Sequence, residues 1–278
     1  MQPAKAFISQ LWSSSLRDEI IDRAAELAYY FLFALFPASM LLSTMFGLFA
    51  RARGQANLEM MFYLAKVIPP TAFGIIQSAF GEATRGSDVW HLTFGAIAAL
   101  WVATYGMTSA QSVLNVIYRT PETRPYWKAK TIAAILTLAI FLLVFLAMSL
   151  LVLGDFLAKL MIQNLLINPL AMIAWKVVQI LCSLFFMSMV FALTYHWGPD
   201  RKGHKWRWFS PGAIVGVLGW LGASIGLRLY LHLYNPYASM YGSLGAVMVL
   251  LVWFYVSGFM LLLGAEINAT IESLQNSS

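Results

Sequence analysis

The chain has 278 residues, 60% of them hydrophobic and 11% charged, with a mean hydropathy of +0.72. Soluble domains carry about 25% charged residues, so a water-soluble globule is excluded. Lys and Arg outnumber Asp and Glu by 18 to 12, a net charge of +6, and the single cysteine, Cys182, excludes both an intramolecular disulfide and a multi-thiolate zinc site.

The first 22 residues lack the long apolar core of a cleavable signal peptide. Ile8, Trp12, Leu16 and Ile20 recur at four-residue spacing, with Phe7 and Leu11 beside them. That period predicts an amphipathic helix over 1–22, lying on a membrane surface or standing as a soluble arm.

Beyond it, no Asp, Glu, Lys or Arg occurs in 27–50, 89–118, 131–154, 177–195, 208–227 or 229–265. A spanning helix needs about 20 such residues. A backbone in hydrocarbon must satisfy its own hydrogen bonds, which selects helices over open strands. The fold class read from these runs is all-α: one polytopic membrane domain, 1–278, with six spans near 27–50, 90–118, 131–153, 175–195, 209–229 and 242–264.

Pro37 in the first span is predicted to kink it. The outer loop at 55–85 carries apolar faces on both sides of Pro69–Pro70 and predicts two amphipathic helices, on the membrane surface or partly re-entrant. In the second span Thr104, Thr108, Gln111 and Asn115 fall within roughly 60° of one another on a helix. This polar stripe either lines a water-filled path or hydrogen-bonds between helices.

Basic residues cluster in the arm (Lys5, Arg17, Arg23), in 119–130 (Arg119, Arg124, Lys128, Lys130) and in 196–207 (Arg201, Lys202, Lys205, Arg207). Six spans put these segments on one side, and the positive-inside rule makes that side cytoplasmic, with both termini inside. Arg51, Arg53, Lys66 and Arg85 in the first outer loop run against the pattern. The net charge is thus explained by topology, without a nucleic-acid partner.

The fifth span reads GAIVGVLGWLGASIG from Gly212 to Gly226. Glycine inside a helix costs roughly 1 kcal/mol against alanine. Gly212, Gly216, Gly219, Ala223 and Gly226 form a stripe of roughly 80°, with Gly222 at its edge. The spacing is wrong for a dinucleotide fingerprint. In lipid such a face allows close helix approach, either within the chain or as a seam between copies. After it, Tyr230, Tyr234, Tyr237 and Tyr241 suit an interfacial aromatic belt.

Arg23 and Glu26 open the first span and can meet at i,i+3 spacing, while Glu266 closes the last beside Asn268. These boundary charges either accept a proton or cation, or sit wet at the membrane edge. A hydrolase reading rests on His196, Asp200 and His204, interleaved with Trp197, Trp206 and Trp208 in a basic loop. Membrane-anchoring tryptophans and positive-inside charges account for the same residues. No HExxH, Walker A or CxxC motif occurs. No catalytic residue, metal or cofactor is assigned, and membrane lipids are the expected partners.

Four blocks resemble the YihY/BrkB family of bacterial inner-membrane proteins: RAAELAYYFLFALFPASMLL (23–42), NVIYRTPETRPYWKAK (115–130), YHWGPDRKGHKWRWFSPGA (195–213) and YGSLGAVMVLLVWFYVSGFMLLLGAEINA (241–269). The resemblance covers roughly 23–270, and its blocks are specific in combination. It implies a six-helix inner-membrane protein without an agreed activity. One family label is a virulence or serum-resistance factor; the other, ribonuclease BN, is disfavoured by the missing active-site constellation. The reading is a transporter or export component for a small ion or envelope lipid, with a non-catalytic membrane scaffold as the alternative.

Overall fold

The computed structural model describes residues 2–50, 89–165, 169–201, 210–233 and 243–276. Among them are seven α-helices and no strand: α1 Gln2–Arg17, α2 Ile20–Ala50, α3 Val89–Ile117, α4 Tyr126–Leu165, α5 Pro169–Trp197, α6 Pro211–Leu233 and α7 Ser243–Asn276. The amphipathic helices expected at 55–85 lie outside the described residues. Pro37 falls inside α2, but the surroundings that would test its kink lie outside them too.

Four helices are long and apolar enough to cross a membrane: α4 over Tyr126–Leu151, α5 over Met172–Trp197, α6 over Pro211–Leu233 and α7 over Leu244–Gln275. Helices α2 and α3, of 31 and 29 residues, are each roughly 45 Å long at 1.5 Å per residue.

The six long helices close into a ring. Each packs on its chain neighbour from α2 to α7, and α7 returns to α2, with α1 laid against α7. The main core sits toward one end, where Ala24 and Leu27 of α2 meet Leu114 and Ile117 of α3, Tyr195 of α5 and Leu262 of α7. A smaller cluster around Leu250 joins Leu32 and Leu35 to Trp253. Outside, Ile135, Leu138, Leu142 and Leu146 run exposed down α4. In water such a stripe would be an aggregation-prone patch, whereas in hydrocarbon it is the ordinary outer face of a span.

Helix α6 begins where its residues dictate. Ser210 caps it, its hydroxyl accepting from Ala213 N–H at 3.1 Å, and Pro211 takes the first-turn position that needs no donor. Glycine then lets α6 lie close on α7. A Cβ on Gly212 would overlap the Gly264 carbonyl oxygen; one on Gly216 would reach 2.7 Å from the Phe191 ring, and one on Gly219 2.7 Å from the Met260 sulfur. Ala223 is half-buried. Around Gly222 and Gly226 there is nothing within 4 Å. The small-residue stripe therefore divides: its first half packs inside the chain and its second half faces open space. Two tryptophans lock the same helix pair, Trp220 Nε1 donating to Ser257 Oγ at 2.9 Å and Trp253 Nε1 to Ser224 Oγ at 3.1 Å.

On α1, Ile8, Trp12 and Leu16 form an exposed apolar row, while Gln10 reaches back to Ser273 of α7 at 2.8 Å. The arm is thus held to the bundle by its other face.

Gly212→Ala should lower stability by about 1–3 kcal/mol through overpacking, and Gly264→Ala likewise. Gly222→Ala in an open helical position should be neutral or gain up to about 1 kcal/mol. Thermal melts of the purified chain in detergent check the contrast; equal losses at Gly212 and Gly222 would sink the divided stripe.

Candidate functional site

The arm and the two basic loops meet at one end of the ring. Helix α3 stops in a left-handed turn at Arg119, φ 56°. Thr120 N–H bonds back to the Asn115 carbonyl at 2.9 Å and Arg119 N–H to Val116 at 3.1 Å, the Schellman pattern of a helix end. Glycine usually takes that left-handed position. Here Arg119 accepts it and turns its guanidinium onto Asp18 Oδ2 at 2.7 Å. Asp18 lies in the corner between α1 and α2, beside a second left-handed residue, Glu19, φ 53°.

Asp18 and Glu266 are 2% and 1% exposed, and the two buried carboxyls lie close to one another. Arg119 and, at 3.5 Å, Arg17 face the pair through Asp18. Glu266 Oε2 has no hydrogen-bond partner among the described residues. The wet boundary position considered for Glu266 does not fit this burial, because the α1–α2 corner covers that end of α7. Arg23 and Glu26 take separate partners. Arg23 Nε donates to the Asp18 carbonyl at 3.0 Å, and Glu26 Oε1 accepts from Ser109 of α3 at 2.6 Å.

The two basic loops are clamped together. Asn115 Oδ1 accepts from Asp200 N–H at 2.7 Å and Asn115 Nδ2 donates to Glu122 Oε2 at 2.8 Å. Asp200 Oδ2 accepts from the Thr123 amide and hydroxyl at 2.8 and 2.5 Å. Arg124 grips Glu122 at 2.6 Å and donates to the Gly198 carbonyl at 3.0 Å. The Glu122 carboxyl is held below its usual value of 4.5, first by the Arg124 hydrogen bonds, against burial, with Asn115 adding. Nearby, Arg201 pairs with Glu272 and stacks on Tyr118, 4.3 Å from the ring centre. Asn268 accepts from Gly212 N–H at 2.8 Å and donates to Ser210 Oγ at 2.9 Å. A cavity of about 40 Å³ lies among Tyr118, Tyr195, Arg201 and Asn268, room for about one water.

The polar stripe on α3 faces inward, but its members do different things. Thr104 donates to its own helix at Leu100 O, 2.5 Å, and Thr108 to Thr104 O, 2.7 Å. Lys130 of α4 also reaches Thr108 at 3.3 Å. Asn115 belongs to the loop clamp. Gln111, 2% exposed, has no partner for either amide atom among the described residues, and buried Ser188 Oγ of α5 has none. An unsatisfied buried polar group costs about 1–3 kcal/mol, so such a residue calls for an explanation.

The His196–Asp200–His204 pattern does not assemble on what is described. His204, Trp206 and Trp208 lie outside it, the Asp200 carboxylate serves the clamp, and among the described residues no group of three or more His, Cys, Asp or Glu could hold a metal ion. Sequence reasoning missed Asp18, whose signal was a lone acid at the break between two helical patterns. It also missed Gln179, which bridges α5 to the Leu150 and Leu151 carbonyls of α4 at 3.2 and 2.6 Å.

Residues 11–278 match the family model described as Virulence factor BrkB. The chain is 29% identical to the Putative ribonuclease-like protein YfkH of Bacillus subtilis, over 96% of this chain and 95% of that one. It is 26% identical to the UPF0761 membrane protein Smlt0865 of Stenotrophomonas maltophilia and 24% identical to a UPF0761 membrane protein of Xanthomonas campestris, over 95% of this chain and 60% of each relative. The chain thus spans three fifths of these longer relatives. No solved structure matched.

Two outcomes are expected at this end. Glu266→Gln, which keeps the volume of the buried side chain, should stay within about 1 kcal/mol of the parent. Glu266→Ala should lose about 2 kcal/mol or more by leaving a cavity. For Glu122, a lowered carboxyl value means its stabilisation is complete above the unfolded value and lost as pH falls through the folded one. Melting temperatures of the parent and Glu122→Gln, compared from pH 7 to pH 3, should differ by a constant at neutral pH and begin to converge below about 4.5. A gap that does not narrow at all between pH 4.5 and pH 3 would contradict the Arg124 assignment.

Proposed function

The chain belongs to the virulence factor BrkB family, and from that premise we propose that it works as a transporter or export component for a small ion or envelope lipid. In this reading it lies in the bacterial inner membrane, crosses six times and keeps both termini cytoplasmic. The observation that carries transport is Gln111, buried within a ring of six helices with both amide atoms unpartnered among the described residues. A polar group at membrane depth is costly unless it is partnered, so an amide left without a protein partner suits a position that meets solute or water. Thr104 and Thr108 continue the same face outward along α3. The reading assigns no catalytic step; "ribonuclease-like" is said of YfkH.

A second reading, a membrane scaffold, is favoured by one observation. Gly222 and Gly226 form a small-xxx-small pair that faces open space, between exposed Leu218, Ile225 and Leu229. Such a pair suits the backbone of another helix, including that of a second copy.

Single cysteines decide between the two. Thr104→Cys, Thr108→Cys and Gln111→Cys are each placed in a Cys182→Ser background and treated with a small membrane-impermeant thiol reagent, on whole cells and on inside-out vesicles. Transport predicts labelling from at least one side while lipid-facing controls stay silent. Silence from both sides in protein that labels after denaturation sinks the path. A dimer lost on Gly226→Leu would then put the scaffold ahead.

A further inference from the structure

Beside the loop clamp lies a cleft of about 700 Å³ between the start of α4 and the end of α5. Its chemistry is two-sided. One wall is apolar: Ile132, Ile135 and Leu136 line it from α4, at the i, i+3, i+4 spacing of one helical face. The other end is cationic. Lys128 lines it, is exposed, and has no carboxylate partner among the described residues. Arg124 and Arg201 line it too, each already paired with an acid, and the one lining carboxylate, Asp200, is held by the Thr123 amide and hydroxyl.

The level of the cleft in the membrane is marked by aromatics. Trp197, which lines it, is exposed, and so are Tyr126 and Trp127, the two residues before Lys128, as expected of side chains at the headgroup layer. From Ile135 the exposed row Leu138, Leu142 and Leu146 continues along α4 away from the basic end. A soluble anion would need the cation but not an apolar wall that runs on into the lipid-facing surface. An amphiphile needs both.

We propose that this cleft binds an anionic phospholipid of the inner leaflet. Its phosphate sits by Lys128, and its acyl chains follow Ile135 and the leucine row. Basic pockets between spans at the cytoplasmic face suit such headgroups. The site rests on the proposed placement of the basic loops at the inner surface, and it does not require that the ring carry a solute.

The test uses the full chain in detergent with phosphatidylglycerol or phosphatidylcholine at matched concentration, with bound lipid read by native mass spectrometry. Phosphatidylglycerol should be retained at least about fivefold better, the effect of about one basic residue at a membrane surface. Lys128→Glu should remove that preference, and Lys5→Glu on α1 should not. Millimolar inorganic phosphate should fail to displace the lipid. Equal retention of both lipids, a preference that survives Lys128→Glu, or displacement by phosphate each overturns the site. Should Lys128→Glu not fold, Ile135→Trp fills the groove without touching a charge, and undiminished phosphatidylglycerol binding there overturns it equally. Retention of phosphatidylglycerol with a silent Gln111→Cys would leave this site standing and remove only the transport reading.

Discussion

A polar group inside a bundle surrounded by hydrocarbon has no water to fall back on, and this constraint organises the molecule. It explains why one end of the bundle is knotted together by side chains. Asn115 uses its carbonyl and amide on two different segments. Asn268 uses both of its own on the start of α6. Tyr195 buries its ring in the core and donates its hydroxyl to the Leu261 carbonyl at 2.7 Å. Each pairing removes a cost of about 1–3 kcal/mol, and all but Asn115–Glu122 tie together segments far apart in the chain.

The same constraint makes the exceptions informative. Gln111 stands in the one stretch of α3 where the neighbouring polar side chains have turned to their own helix or to the loops. Glu266 is buried beside Asp18, and its Oε2 has no hydrogen-bond partner among the described residues. One exception lies within the helical ring and one at its end, beside the arm that α7 holds. A buried carboxyl next to a basic surface and an amide deeper along the bundle without a partner among the described residues are elements a transporter can use. They are equally elements that a purely structural bundle has reason to avoid.

The basic loops serve both topology and architecture. Positive charge at that end biases orientation, yet Arg119 and Arg201 have acidic partners brought by other segments, and Arg124 pairs with Glu122 of its own loop and lies 4.0 Å from Asp200 of the other. Lys128, at the rim of the cleft, differs in lacking one among the described residues. The division of labour follows geometry: planar guanidinium groups bridge carboxylates and carbonyls inside the knot, while a flexible ammonium remains exposed beside it.

Charge-free runs and their lengths carry the helical class in plain view, because lipid imposes a local requirement that each span meets on its own. Four of the helices meet the length and apolarity for crossing, and the blocks at 23–42, 115–130, 195–213 and 241–269 were enough to place the family. The glycine spacing told that α6 has a smooth side, but not where along it the neighbour ends; that depends on how α7 crosses, which leaves Gly222 and Gly226 open. Nor could spacing tell that Asn115 leaves the polar stripe for the loops, or that Glu266 is sealed by Asp18. Those outcomes turn on contacts between residues 85 and 248 positions apart. Periodicity reports which face of a helix is polar; only the closed ring decides what each polar group meets there.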